Sequence, residues 1–168
     1  MRIGLFYGST NGNTQRIAEM IRDQYPGDVD LHKVHEDFDP ETFDQYDVII
    51  LGVPTYGQGS LQEDWADFIW EMDDVDLSGK KVAIFGLGDQ GAYPESFADS
   101  MFELYEKVDE LGGEVVGSWP TDGYDFNRSQ AVIDGSFLGL VLDVDQQPEL
   151  TRERLARWIA QIKKEFVQ

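Results

Sequence analysis

A chain of 168 residues with 41% hydrophobic and 12% aromatic content can bury one good core, and a single domain over residues 1–168 is the simplest expectation. Its 13 basic and 33 acidic residues leave a net charge of −20 with both His neutral, which argues against nucleic acid and anionic membrane surfaces as partners. No Cys is present, so disulfides, thiolate metal sites and Cys nucleophiles are excluded, and chemistry must rest on another group or a bound cofactor. No apolar run approaches the roughly 20 residues that cross a bilayer, and the start of the chain lacks the sections of a signal peptide. A cytoplasmic monomer is expected.

The first strand, Arg2 to Tyr7, runs directly into Gly8-Ser9-Thr10-Asn11-Gly12-Asn13-Thr14. Ile17, Ala18, Ile21 and Tyr25 then recur at helical spacing, so the stretch between is a strand-to-helix turn. Such a turn aims free backbone N–H groups and the positive end of the helix dipole at one point, and suits an anion. A nucleotide triphosphate loop needs four residues between its glycines and a Lys after the second. Here Gly8 and Gly12 are separated by three, with Asn13 in the Lys position. Neutral donors of this kind fit a phosphate monoester better than a polyphosphate carrying Mg²⁺. A capped turn without a ligand is the competing reading.

The second strand, Val29 to Val34, alternates as an edge strand does, while Val48 to Val53 and Val82 to Phe85 are continuous apolar runs covered on both faces. Between these two, Leu61, Trp65, Phe68, Ile69 and Met72 form a helical stripe that Ser60 and Glu63 would open as a capping box. Phe97, Met101, Leu104, Val108 and Leu111 form the next, ended by Gly112-Gly113. A fifth strand starts at Val115 to Trp119, is interrupted by Pro120 to Phe137, and resumes at Leu138 to Leu142 before Asp143-Val144-Asp145. The last helix follows Thr151 as N-cap, with Leu155, Trp158, Ile159, Ile162 and Phe166 on one face. This is an α/β chain: a five-stranded parallel sheet of order 2-1-3-4-5 with helices on both faces. Ligands then sit at the carboxyl ends of strands one, three and four, which are Gly8 to Thr14, Pro54 to Gly59 and Gly86 to Tyr93.

In Pro54-Thr55-Tyr56-Gly57-Gln58-Gly59, the Tyr56 ring lies among turn formers and could wall a flat pocket. Gly57 could let its peptide turn over, or could serve the turn alone. Gly86-Leu87-Gly88-Asp89-Gln90-Gly91 matches a dinucleotide fingerprint, but Asp89 would meet the pyrophosphate and no acidic residue ends a strand about 20 positions on. Its backbone N–H groups from Gly88 to Gln90 suit the polar edge of a planar ring, with Tyr93 stacked on the face or serving merely as core or surface. His32 and His35 are expected at the surface, away from these loops. Nothing proposes covalent chemistry by the protein itself, and the reactivity points to a bound aromatic phosphate.

Taken together these residues resemble the flavodoxin family, and its long-chain group in particular, over the whole chain. Ser9-Thr10-Asn11-Gly12-Asn13-Thr14 is similar to the family's FMN phosphate loop, with Asn11 in place of a usual Thr. Pro54-Thr55-Tyr56 resembles the loop whose aromatic stacks on one isoalloxazine face, with Gly57, Gln58 and Gly59 completing it, and Tyr93 aligns with the Tyr of the other face. Gly88-Asp89-Gln90 resembles the stretch holding the pyrimidine edge, Leu87 stands where some members carry a hydroxyl, and Asp99 and Asp145 match positions near the sugar chain more loosely. Trp119 to Phe126 is similar to the inserted loop of long-chain members.

The resemblance implies a flavodoxin-like three-layer sandwich carrying tightly, non-covalently bound FMN. It also implies a low-potential one-electron carrier cycling between hydroquinone and neutral semiquinone, with no catalytic residues and no metal. Gly57 would turn a carbonyl toward the flavin N5–H. Acidic residues would disfavour added negative charge and would steer basic-faced redox proteins, such as a ferredoxin/flavodoxin–NADP reductase and acceptor enzymes, into transient complexes. The alternative is an FMN-dependent NAD(P)H:quinone oxidoreductase of the same fold, which needs open space over the flavin that Tyr56 and Tyr93 would block.

Overall fold

The computed structural model describes residues 1–168. In chain order the elements are β1 (Ile3–Tyr7), α1 (Asn13–Gln24), β2 (Val29–Lys33), a 3-10 turn (Pro40–Gln45), β3 (Val48–Tyr56), β4 (Ser60–Leu61) and α2 (Glu63–Phe68), which tightens into a 3-10 turn at Ile69–Met72. Then come β5 (Lys81–Leu87), α3 (Ser100–Glu110), β6 (Glu114–Val116), β7 (Val132–Ile133), β8 (Ser136–Phe137), β9 (Leu140–Leu142) and α4 (Thr151–Glu165).

β2, β1, β3 and β5 lie side by side, all parallel. The fifth lane is shared. β6 pairs with Lys81 to Ala83 and β9 with Phe85 to Leu87, so two separated segments extend along one edge of β5. This is the expected 2-1-3-4-5 order with its last strand split. The chain between them carries the β7–β8 hairpin, and Trp119 and Phe137 exchange backbone hydrogen bonds of 2.9 and 2.8 Å that close the insert at its base.

Successive strand residues point to opposite faces of the sheet. At β5, Phe85 meets Trp158 of α4, while a side chain at Gly86 would run into Met101 of α3. Helices therefore cover both faces, and 44 buried apolar residues form one contiguous core. No helix is long and apolar enough to cross a membrane.

Trp65 ties α2 to the sheet. Its ring is fully buried, and Nε1 donates to the Gly52 carbonyl at 2.8 Å, so its one polar group is satisfied. Truncating it to Ala would cost about 3–5 kcal/mol.

Four local expectations are corrected. The third strand runs on through Tyr56, because Thr55 and Tyr56 pair back with Leu61 and Ser60 in a short hairpin. Ser60 is thus strand rather than helix cap. Gln62 caps α2 instead, its Oε1 accepting from Trp65 N at 3.2 Å. At α4, Thr151 is already helical and its buried hydroxyl makes no hydrogen bond; the 3-10 turn Pro148–Leu150 leads in without a side-chain cap. His32 is half-buried. It is the register partner of Phe6, so the two side chains share a face and stack at 5.0 Å, and its Nε2 lies 2.6 Å from the Tyr46 hydroxyl. His35 is exposed, as expected.

Candidate functional site

The three loops meet. A cleft of about 170 Å³ is lined by Asn11 and Asn13 after β1, by Pro54 to Gly57 at the end of β3, and by Leu87, Gly88, Asp89 and Tyr93 after β5. Val144 and Asp145, after β9, complete it. The register explains the convergence: Tyr7, Gly52 and Phe85 are level across the sheet, and Gly8 N donates to Gly52 O at 3.2 Å. The chains therefore leave the sheet from the same rim, where the order of connection reverses.

At the first loop, Gly12 takes a left-handed turn (φ 88°) into α1, whose first turn has no acidic residue and no side-chain cap. Ser9 is buried and its Oγ accepts from Gly12 N at 3.1 Å; Asn11 Oδ1 accepts from Asn13 N at 3.1 Å. Thr10 Oγ1 accepts from the Gln62 amide at 3.1 Å, which ties the loop to α2. The N–H groups of Thr14 and Gln15 find no acceptor within the chain. The Thr14 hydroxyl is buried and unpartnered as well. Orphaned donors at a helix start, free of carboxylates, form an anion receptor.

Tyr56 is half-buried with an unpartnered, buried hydroxyl, and Tyr93 is 40% exposed. Behind Tyr56, the Ser100 hydroxyl donates to the Pro54 carbonyl at 3.1 Å and Ser100 N donates to Thr55 Oγ1 at 3.2 Å, so α3 holds the end of β3. Beside the cleft, and sharing Tyr93 with it, lies a wider hollow of about 640 Å³. Gln58 and Asp99 line this second hollow rather than the first, together with Ser96 and Arg128 to Gln130 of the insert. Asp99 accepts from Gln130 N at 2.8 Å, and burial raises its pKa against the opposing pull of Gln130 and Arg128.

Of the expected residues, Ser9, Thr10, Gly12, Thr14, Gly59 and Gln90 line neither hollow. Gln90 is buried and donates from both its backbone and its side chain to Asp143. Asp89 Oδ1 accepts from Gly91 N, Ala92 N and the Gln146 amide, which shapes the turn that presents Tyr93. Asp143, Val144 and Gln62 had not been singled out. Asp143 and Val144 were detectable by the rule that found the other loops, since they follow an apolar strand at its carboxyl end. Asp145 has a raised pKa, first from burial and then from Asp89 and Asp143 nearby. The cleft thus already resists negative charge at one end while its helix start attracts it at the other.

The fold and this rim define a doubly wound, open-sheet α/β protein with its cleft at the switch point. Residues 5–158 match the family model described as flavodoxin. The chain is 49% identical over 164 residues to a flavodoxin of Synechocystis sp., covering 96% of both chains, and 43% identical over 165 residues to flavodoxin 1 of Escherichia coli K12, covering 97% of this chain and 93% of that one. Among solved structures, Fusobacterium nucleatum flavodoxin bound to flavin mononucleotide superposes with a TM-score of 0.92 at 35% identity, covering 98% of each chain. The chain belongs to the flavodoxin family.

Proposed function

We propose that the whole chain works as one flavodoxin-like domain of the long-chain group, holding FMN non-covalently and carrying single electrons at low potential. The observation that carries this reading is the pairing of an anion receptor with an aromatic-walled cleft on one rim: Thr14 has an unspent buried hydroxyl at a bare helix start, while Tyr56 and Tyr93 line the adjoining space. The FMN named for the Fusobacterium relative supports it. The split fifth strand with its insert supports the long-chain assignment.

Ser9 to Thr14 would hold the phosphate with neutral donors. Tyr56 and Tyr93 wall the ring and shed water from it. Leu87 to Asp89 would offer backbone N–H groups to its polar edge, with Gln90 bracing that turn through Asp143; Asp145 would lie toward the sugar chain, and Asp99 would act from the wider hollow. FMN supplies a ring that takes up and releases electrons one at a time. Asp89 and Asp145 in the cleft, with Asp99 in the adjoining hollow, would make added negative charge costly, which lowers the potential. Gly57, at φ 53°, holds a conformation that only glycine takes easily, and would let its peptide reorient beside the bound ring.

The protein is an electron-transfer protein and not an enzyme: Tyr56 and Tyr93 on opposite faces of the ring would block the approach of a hydride donor. Its partners are basic-faced redox proteins such as a ferredoxin/flavodoxin–NADP reductase, met transiently in the cytoplasm. Heat release of FMN from the purified protein, followed by stepwise anaerobic reduction under visible absorbance, tests this. Two resolved one-electron steps, with no NADPH–quinone turnover by the protein alone, are expected. Direct two-electron reduction by NADPH would mean an oxidoreductase instead, and a protein free of flavin would overturn both.

A further inference from the structure

Trp70 is 72% exposed. The other large apolar side chains this exposed are Met1 and Val167 near the chain ends, while Tyr93 belongs to the cleft. Trp70 therefore stands apart. It also breaks the pattern of its own segment, in which Trp65, Phe68 and Met72 face the core and Glu63, Asp67, Glu71 and Asp74 face water. At helical spacing from Asp67 and Asp74, position 70 belongs to the wet face, where a charged side chain would satisfy every local rule.

The surroundings fit one kind of occupant. Asp67, Glu71, Asp73 and Asp74 are exposed neighbours of Trp70 along the chain, and among the four only Asp73 pairs with a cation, Lys107. A second segment adds to the field: Glu41 and Asp44 of the Pro40–Gln45 turn share a hollow of about 300 Å³ with Glu71 and Asp74, and no cation lines it. An exposed indole in a segment of mostly unpaired carboxylates is complementary to an apolar socket rimmed by Arg or Lys, whose cations pair with the carboxylates while an Arg plane stacks on the indole.

We propose that Trp70 is the apolar anchor of a docking face for a basic partner protein. For the kind of partner this rests on the electron-carrier reading above, and it assigns to one residue a role that charge alone does not supply. Trp70 lies in the 3-10 turn Ile69–Met72 that continues α2, and a standard interface covers about 800 Å² on each side, enough to take in the indole together with the carboxylates of the same segment. Carboxylates steer the approach and weaken with salt; a desolvated indole holds the complex and does not.

The test is calorimetric titration of the oxidised holoprotein with an oxidised ferredoxin/flavodoxin–NADP reductase at low and high salt. Trp70→Ala is expected to weaken binding at least about fivefold at both salt concentrations, with Trp70→Phe within about twofold of the parent. The combined Asp67→Asn, Glu71→Gln and Asp74→Asn variant should lose affinity chiefly at low salt. Circular dichroism and FMN retention check that each variant is folded. Binding that ignores Trp70→Ala overturns the inference alone, and absence of any complex with the parent chain overturns the partner reading with it. A concentration-dependent dimer that sedimentation shows for the parent and not for Trp70→Ala would assign the face to a second copy and overturn the proposal too.

Discussion

Asp143 accepts the side-chain amide of Gln90 at 2.8 Å and its backbone N–H at 2.9 Å, and both residues are buried. The same carboxylate also accepts from Asp145 N at 3.1 Å and Gln146 N at 2.8 Å. One side chain thus fixes the turn after β5 against the turn after β9. Asp143→Ala should cost about 3 kcal/mol, because two buried and two part-buried donors lose their acceptor at once. Urea unfolding measures it, and a loss no larger than that of an exposed residue would show that the turns hold without it.

Thr14 offers a hydroxyl at the helix start that nothing in the chain uses. Thr14→Val keeps its shape and removes that donor. FMN affinity is expected to fall about tenfold, while riboflavin, which lacks the phosphate, binds unchanged. Flavin fluorescence titration separates the two; an equal loss for both ligands would take Thr14 away from the phosphate.

Gly57 and Gly59 both have positive φ, at 53° and 96°, yet a substitution should separate them. A Cβ at Gly57 meets nothing within 4 Å, so Gly57→Ala carries only left-handed strain of about 1 kcal/mol. At Gly59 the added carbon would lie 3.0 Å from Asp99 Oδ2, and Gly59→Ala should cost about 2–3 kcal/mol. Thermal unfolding of the pair tests the order, and equal midpoints would contradict it.

His32 links stability to pH. Tyr46 donates to Asp30 Oδ2 at 3.0 Å, so its hydroxyl proton is committed, and the 2.6 Å contact is met by His32 donating from Nε2. Burial lowers the His32 pKa, with Asp30 opposing, and the same burial with the Asp30 bond pushes Tyr46 up to about 12. A lowered folded pKa means that the unfolded chain binds the proton first. The contribution of His32 is therefore complete above about pH 6.5 and is lost as pH falls below it. Compared with His32→Phe, the parent should lose stability between pH 7 and pH 5, measured by urea unfolding at each pH. A constant difference would exclude His32 as the sensor.

The alternation of apolar runs and helical stripes was enough to place the strands, their order and the rim, because those patterns answer to one global constraint, burial on two faces of a sheet. What escaped was local and non-local at once. Ser60 carries the residue types of a cap, but strand pairing claims it and Gln62 takes the role, reaching Thr10 and Asp64 as well as Trp65 N. His32 looked polar and peripheral; its surroundings follow from the register with Phe6, which no single segment contains. The same holds for Asp99, whose proximity to Gln130 depends on how the insert folds back.

The shared fifth lane also sets a timetable. The segment that pairs with Lys81 to Ala83 is made some two dozen residues before the one that pairs with Phe85 to Leu87. Val144 and Asp145, which complete the lining, and Asp143, which fastens the Tyr93 turn, arrive only behind the later segment. A chain emerging from the ribosome can therefore assemble most of its sheet well before it can close around a ligand. The lining is complete only once Asp145 is in place, so the first loop, Ser9 to Thr14, is made long before the residues that will face it.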